Sequence, residues 1–153
     1  MDKAIPILSA IAVSAFSAFA GPVEQYGRLY ADGSKIVGER SGGSAVQLKG
    51  PSLQWSVAGW GSDKFFLTET VDAMAGGWMA QVIRAPLGIA YVNPTDPGDE
   101  VTDGYNVDSL GNWERVERVV DAAIERGVYA ILDWHSHSAH NADEIALAAD
   151  FFT

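Results

Sequence analysis

Gly127-Val128-Tyr129-Ala130-Ile131-Leu132-Asp133-Trp134-His135 is the stretch on which the fold turns. A glycine is followed at once by a five-residue apolar run, Val128 to Leu132, and then by three residues able to do polar chemistry. A continuous apolar run of this length is expected of a strand buried on both faces, as in a parallel sheet. Immediately upstream, Leu110 to Arg126 spaces Trp113, Val116, Val120 and Ala123 or Ile124 along one helical face, with Glu114 and Arg118 at i,i+4 on another. Gly127 is the expected helix stop. Downstream, Asn141 to Phe152 has the composition of a further helix.

The same strand and helix succession extends toward the N-terminus. Phe65 to Met74 places Phe65, Phe66, Val71 and Met74 against polar Lys64, Thr68, Glu69 and Asp72, an amphipathic helix ending at Gly76-Gly77. Met79 to Ile83 then reads as a buried strand, and residues 85–107, rich in Pro, Gly, Asp and Asn, as a long loop of the kind that often carries function. Ala45 to Lys49 is a short first strand running into Gly50-Pro51. Ahead of it, alternation from Tyr26 to Val37 broken by Asp32-Gly33 predicts a β-hairpin. The class is therefore α/β: about three βα units preceded by a β-hairpin. A (β/α)8 TIM barrel takes about 250 residues, so 153 residues hold part of one. The alternative is a small three-layer α/β domain.

Composition narrows the partners. The chain carries 20 acidic against 10 basic residues, and after Ala90 thirteen Asp or Glu face only Arg115, Arg118 and Arg126. Such a surface repels nucleic acid and anionic membranes and suits a neutral substrate. Residues 1–20 read as a signal peptide: Lys3, an apolar run from Ile5 to Phe19, and Ala18-Phe19-Ala20 as the cleavage site. The run is short for a membrane span and holds Ser9, Ser14 and Ser17. The expected product is secreted, extracellular or periplasmic, begins at Gly21, and has no membrane attachment after cleavage. Without a cysteine, it is stabilised by packing alone.

In a βα barrel, polar residues at the C-terminal ends of strands line the active site. Arg84 after Met79 to Ile83, and Asp133-Trp134-His135 after Val128 to Leu132, meet that test, as does Leu53-Gln54-Trp55 after the first strand. These segments, with Tyr26-Gly27-Arg28-Leu29, Val46-Gln47-Leu48-Lys49-Gly50 and Ile83-Arg84-Ala85, resemble glycoside hydrolase family 5, the endoglucanase-like retaining (β/α)8 enzymes, over roughly Val23 to Thr153.

The resemblance implies an enzyme cleaving β-1,4-glucosidic bonds in cellulose or related β-glucans, with no cofactor. It implies that Arg84 hydrogen-bonds the nucleophile's carboxylate, that His135 lies by the sugar next to the cleaved bond, and that Trp55 stacks on a glucosyl ring. A guanidinium can hold a carboxylate bidentately and keep it ionised. Gly88 stands where the family often carries a Tyr, and Tyr91 is the candidate to fill that space. The family's acid/base Glu, after the fourth strand, and nucleophile Glu, after the seventh, are expected beyond Thr153, so this chain alone is expected to be inactive. Asp133 is expected to orient neighbouring backbone or His135, and Glu144 to lie on the solvent face of the third helix.

Two other classes compete. His135, His137 and His140 resemble the histidine run of metallo-β-lactamase-fold hydrolases, which makes a zinc metallohydrolase the alternative. Ala139, however, stands where that fold has an Asp ligand, so no metal is expected. A carbohydrate-binding module would fit the five Trp, but such modules are β-sandwiches and the helix from Leu110 to Arg126 opposes that.

Overall fold

Gly127 is where the sequence pattern meets its backbone requirement. Its φ is +64°, and around it the Gly127 N–H donates to Ile124 O at 3.0 Å and the Val128 N–H to Ala123 O at 3.0 Å. This paired arrangement satisfies the last helical carbonyls and turns the chain directly into the next strand. In the computed structural model, which describes residues 21–92, 95, 96, 98 and 100–153, that helix is α3, Ser109–Glu125, and the strand is β4, Tyr129–His135. The expected signal segment lies outside the described residues. Among those described, no helix is long and apolar enough to cross a membrane.

The other elements precede these. Helix α1, Pro22–Tyr26, leads into an antiparallel hairpin of β1, Leu29–Asp32, and β2, Lys35–Gly38. Asp32 pairs with Lys35, which leaves Gly33-Ser34 as the loop, and the positive φ falls on Gly33 (+59°). The expected strand at Ala45 to Lys49 reduces to one bridge, Val37 to Ala45. Helix α2 spans Thr68–Asp72 and continues as a π-helical turn, Ala73–Gly77. It starts three residues later than the apolar pattern suggests, because Phe65 and Phe66 donate back to Ser62 O in the preceding 3₁₀ turn.

Strand β3 runs Val82–Gly88 and pairs in parallel with β4, Val82 opposite Tyr129 through Gly88 opposite His135. This corrects the expected strand at Met79 to Ile83. Met79 adopts φ +53° and belongs to the turn. Pro86 does not end the strand: its carbonyl accepts from Ser56 N at 3.0 Å, and the N–H it lacks would point to that same side, away from β4. On that side residues 49–56 run beside β3, with a parallel bridge from Ser52 to Arg84. Gly50 is needed there, since a Cβ would lie 1.6 Å from Val82 O.

The sheet separates two environments. Ile83, Ala85 and Leu87 on one face of β3 are fully buried with Phe66, Val71, Val116, Val119 and Ala123 from the helices. The next helix, α4, Ala142–Phe151, adds Phe151, packed edge-on against Tyr105 and Trp113. Arg84, Pro86 and Gly88 point to the opposite face, beside Ile131, Asp133 and His135 of β4. Strand β4 is not buried on both faces as its apolar run suggests: Ile131 and Leu132 are 49% and 42% exposed, and β3 is its one named partner among the described residues.

The buried stripe of α3 is also rotated from the expected one. It comprises Asn112, Arg115, Val116, Val119, Ala122 and Ala123, while Ile124 is exposed. Two polar residues hold buried positions, and their partners explain why.

Candidate active site

Arg84 lies inside β3, not after it, and its side chain reaches along the open face to two residues of β4 and one of the neighbouring segment. Nη2 is 2.5 Å from Asp133 Oδ2 and 2.8 Å from His135 Nδ1, and Nη1 donates to Ser52 Oγ at 2.9 Å. His135 Nδ1 is 2.8 Å from the same Asp133 Oδ2. A guanidinium can only donate and a carboxylate can only accept, so Nδ1 must choose between them. Assigned from this network, Nδ1 carries the proton and donates to Asp133, which in the neutral imidazole leaves Nε2 with the lone pair. Two donors thus converge on one carboxylate oxygen, and the Arg84–Asp133 ion pair is only partly exposed. Of the two partners the sequence leaves open to Asp133, neighbouring backbone or His135, the contact formed is with His135.

An aromatic group adjoins this charged one. The Trp55 ring is 4.5 Å from that of His135, edge-on at 75°, and Trp60 and His137 lie 5.2 and 5.5 Å from Trp55. Tyr91 is 6.3 Å from Trp55 and 4.9 Å from His137. The structure therefore brings together all four residues singled out by sequence: Arg84, His135, Trp55 and Tyr91. Gly88 fits the same picture. A Cβ on it would lie 2.6 Å from Val57 Cγ2 and 3.1 Å from Trp55 Cε3, so Trp55 and Val57 occupy the space beside it.

The three histidines of the alternative reading are not gathered. His135 faces Asp133 and Arg84, and His137 packs among rings. Among the described residues, no group of three or more His, Cys, Asp or Glu is placed to hold a metal ion. Glu144, expected on a solvent face, is half-buried.

Sequence reasoning missed the network that sets the height of Trp55. Every polar group of its neighbour Ser56 is used: N–H to Pro86 O at 3.0 Å, Oγ to Asn112 Oδ1 at 2.5 Å and from Gly88 N at 3.1 Å, and the carbonyl from Arg115 Nε at 2.6 Å. Asn112 Nδ2 donates to Asp103 O and Asp108 O at 2.9 and 2.8 Å. Arg115 also reaches Asp63 at 3.3 Å. The available signal was a polar pair, Asn112 and Arg115, at i,i+3 in line with Val116 and Val119.

Comparison with known proteins gives this geometry a family. The model of the family described as Cellulase (glycosyl hydrolase family 5) matches residues 39–153. The chain belongs to glycosyl hydrolase family 5. Endoglucanase Z of Dickeya dadantii is 41% identical over 113 residues, covering 74% of this chain and 24% of that protein. Endoglucanase E-5 of Thermobifida fusca is 32% identical over 117 residues, covering 74% and 21%. The chain thus spans about a quarter or less of these relatives' length. A solved structure from Cytophaga hutchinsonii superposes with a TM-score of 0.71 at 32% identity, covering 86% of this chain and 37% of the other. The catalytic domain of the Thermobifida fusca endoglucanase Cel5A gives 0.64 at 29% identity, covering 86% and 38%. A variant of that domain, solved in complex with cellotetraose, gives 0.63.

Proposed function

We propose that residues 21–153 are the N-terminal part of a secreted (β/α)8 glycoside hydrolase that cleaves internal β-1,4-glucosidic bonds of cellulose or a related β-glucan with retention of configuration, and that residues 1–20 are its export signal. The observation that carries this reading is the Arg84–Asp133–His135 cluster on the face of the parallel sheet opposite the one packed on α3, with Trp55 against it. Family membership and the likeness to endoglucanases support it.

The roles follow from the chemistry of each group. Arg84 has N–H donors beyond those engaged by Ser52 and Asp133, and these can hold a second, catalytic carboxylate ionised. His135, its Nδ1–H fixed on Asp133, presents Nε2 as an acceptor for a sugar hydroxyl. Half-buried Tyr91, and the 9% of Trp55 that stays exposed, would meet the apolar face of a pyranose. Retention requires two carboxylates ~5 Å apart, one to attack the anomeric carbon and one to protonate the leaving oxygen. We assign both to residues outside 21–153, because the carboxylate among the site residues here, Asp133, is already committed to Arg84 and His135.

Two preparations test this: the product of the complete gene, and residues 21–153 alone, each given carboxymethylcellulose and cello-oligosaccharides. The complete product is expected to release reducing ends, with the first-formed anomer retained by NMR, and 21–153 alone to release essentially none. Inversion, or comparable release by 21–153, overturns the assignment. N-terminal sequencing of the exported protein is expected to begin at Gly21.

A further inference from the structure

Arg115 is a charged residue within the buried stripe of α3, with 8% of its surface exposed. Its guanidinium is spread over three partners. Nε donates to Ser56 O at 2.6 Å, Nη1 reaches Asp63 Oδ1 at 3.3 Å and Nη2 reaches Asp108 Oδ2 at 3.5 Å. Asp63 belongs to the 3₁₀ turn Ser62–Lys64, which follows the segment beside β3, and Asp108 caps α3 at the end of the loop that follows β3. One side chain on the helix layer thus ties together two loops. Stability alone does not call for a charge here. An apolar side chain would fill the stripe beside Val116 and Val119 without the desolvation that a guanidinium suffers. Asp63 and Asp108, with side chains 68% and 47% exposed, could be solvated in its absence. What an apolar residue cannot do is donate to the Ser56 carbonyl.

Ser56 carries this contact to the site. Its N–H donates to Pro86 O and its hydroxyl accepts from Gly88 N, which bind it to β3, while Arg115 holds its carbonyl from the α3 side. With Ser56 fixed from two directions, the residue before it is fixed as well, and the Trp55 ring stands edge-on 4.5 Å from that of His135. Because Trp55 is mostly buried, the greater part of its ring acts as packing support. For His135 that ring is a wall, which limits rotation of the imidazole away from Asp133 Oδ2, 2.8 Å from Nδ1.

We propose that Arg115 is a positioning residue: by holding the Ser56 carbonyl it sets Trp55, and through Trp55 the orientation of His135, without itself touching substrate. This rests on the hydrolase reading above. It assigns a task in the reaction to a residue on the helix side of the sheet, which neither the sequence pattern nor the cluster on the open face identifies.

The test uses the product of the complete gene, its Arg115→Met, Arg115→Lys and Trp55→Ala variants, and the double variant Arg115→Met with Trp55→Ala, with cellohexaose as substrate well below each melting temperature. Arg115→Met is expected to lower kcat about tenfold with KM within about twofold, the pattern of a group misplaced at the reacting bond. Arg115→Lys should restore part of the loss, since an ammonium can reach Ser56 O but cannot span all three partners. In the Trp55→Ala background, Arg115→Met should cost less than about twofold more, because the path runs through Trp55. A full additional loss there overturns that path. Placement is read without activity from the indole N–H resonance of Trp55 in ¹⁵N-labelled protein, identified by its absence in Trp55→Phe. The resonance should move in Arg115→Met and return toward the parent position in Arg115→Lys, whereas a purely stabilising Arg115 would lower the melting temperature and leave it in place. An unmoved resonance, or an undiminished kcat in an active Arg115→Met enzyme, overturns the positioning role and keeps the hydrolase. A gene product that does not cleave cellohexaose but shows the moved resonance overturns the hydrolase reading and keeps the hold of Arg115 on Trp55. No cleavage and no movement overturn both.

Discussion

Arg84 shows how far a single residue can be read from sequence. A lone Arg in an apolar stretch is legible as a site residue, since charged groups are rarely buried without a partner. Its partners are not legible, because Ser52 and Asp133 lie 32 and 49 positions away and meet it only through parallel pairing. The consequence is testable. In the complete gene product, Arg84→Ala is expected to lower kcat by roughly a hundredfold, the scale of losing a charge-assisted hydrogen bond at a reacting group. The melting temperature should move little, because the ion pair is partly solvated and such pairs add little stability. Arg84→Lys should not restore activity, since an ammonium lacks the planar fork that spans Ser52 and Asp133. An Arg84→Ala enzyme with undiminished kcat removes Arg84 from the site.

At the scale of elements, α3 and β4 were largely legible because their signals are local: a helical period, a glycine stop, an apolar run. Strand β3 is legible in existence but not in its bounds, Val82–Gly88 instead of Met79 to Ile83. Met79 is apolar and looks like strand, but its positive φ makes it turn, and Pro86 looks like a break, but it needs no donor where it sits. The buried stripe of α3 was misread for a related reason, since hydrophobicity alone cannot choose between two overlapping apolar stripes. Asn112 decides between them. Asn112→Ala would leave the buried Ser56 hydroxyl without its acceptor and take one donor each from the part-buried Asp103 O and Asp108 O, which costs on the order of 2 kcal/mol. Gly127→Ala should cost about 1 kcal/mol through its positive φ. Chemical denaturation of both variants measures this, and an Asn112→Ala protein as stable as the parent would show the network to be dispensable.

At the scale of the whole molecule, the N-terminal segment is fastened to the sheet across more than a hundred residues. The Tyr129 hydroxyl, on the first residue of β4, donates to Gly27 O at 2.5 Å and lies 3.3 Å from Pro22 O, while Val23 N–H donates to Gly127 O at 3.0 Å. Nothing in the sequence near Tyr129 announces this, because its partners are backbone carbonyls whose position depends on how α1 folds over the end of the sheet. Burial raises the Tyr129 pKa above the usual tyrosine value, with Tyr26 and Glu39 adding to the rise and Arg40 opposing it. The sign follows from linkage. The neutral phenol is the form that can donate to Gly27 O, so the folded state holds its proton more tightly than the unfolded state does. That stability is fully present below the unfolded pKa of about 10 and is lost as pH climbs through the higher folded value. At pH 8, Tyr129→Phe should therefore cost about 1 kcal/mol, the worth of one hydrogen bond. The gap between parent and variant should narrow by pH 11, where the other tyrosines ionise equally in both proteins and cancel from the comparison. Denaturant unfolding of the two proteins at pH 8 and pH 11 reads that gap directly. A gap that stays constant across the interval would mean that the Tyr129 hydroxyl does not couple the N-terminal helix to the sheet.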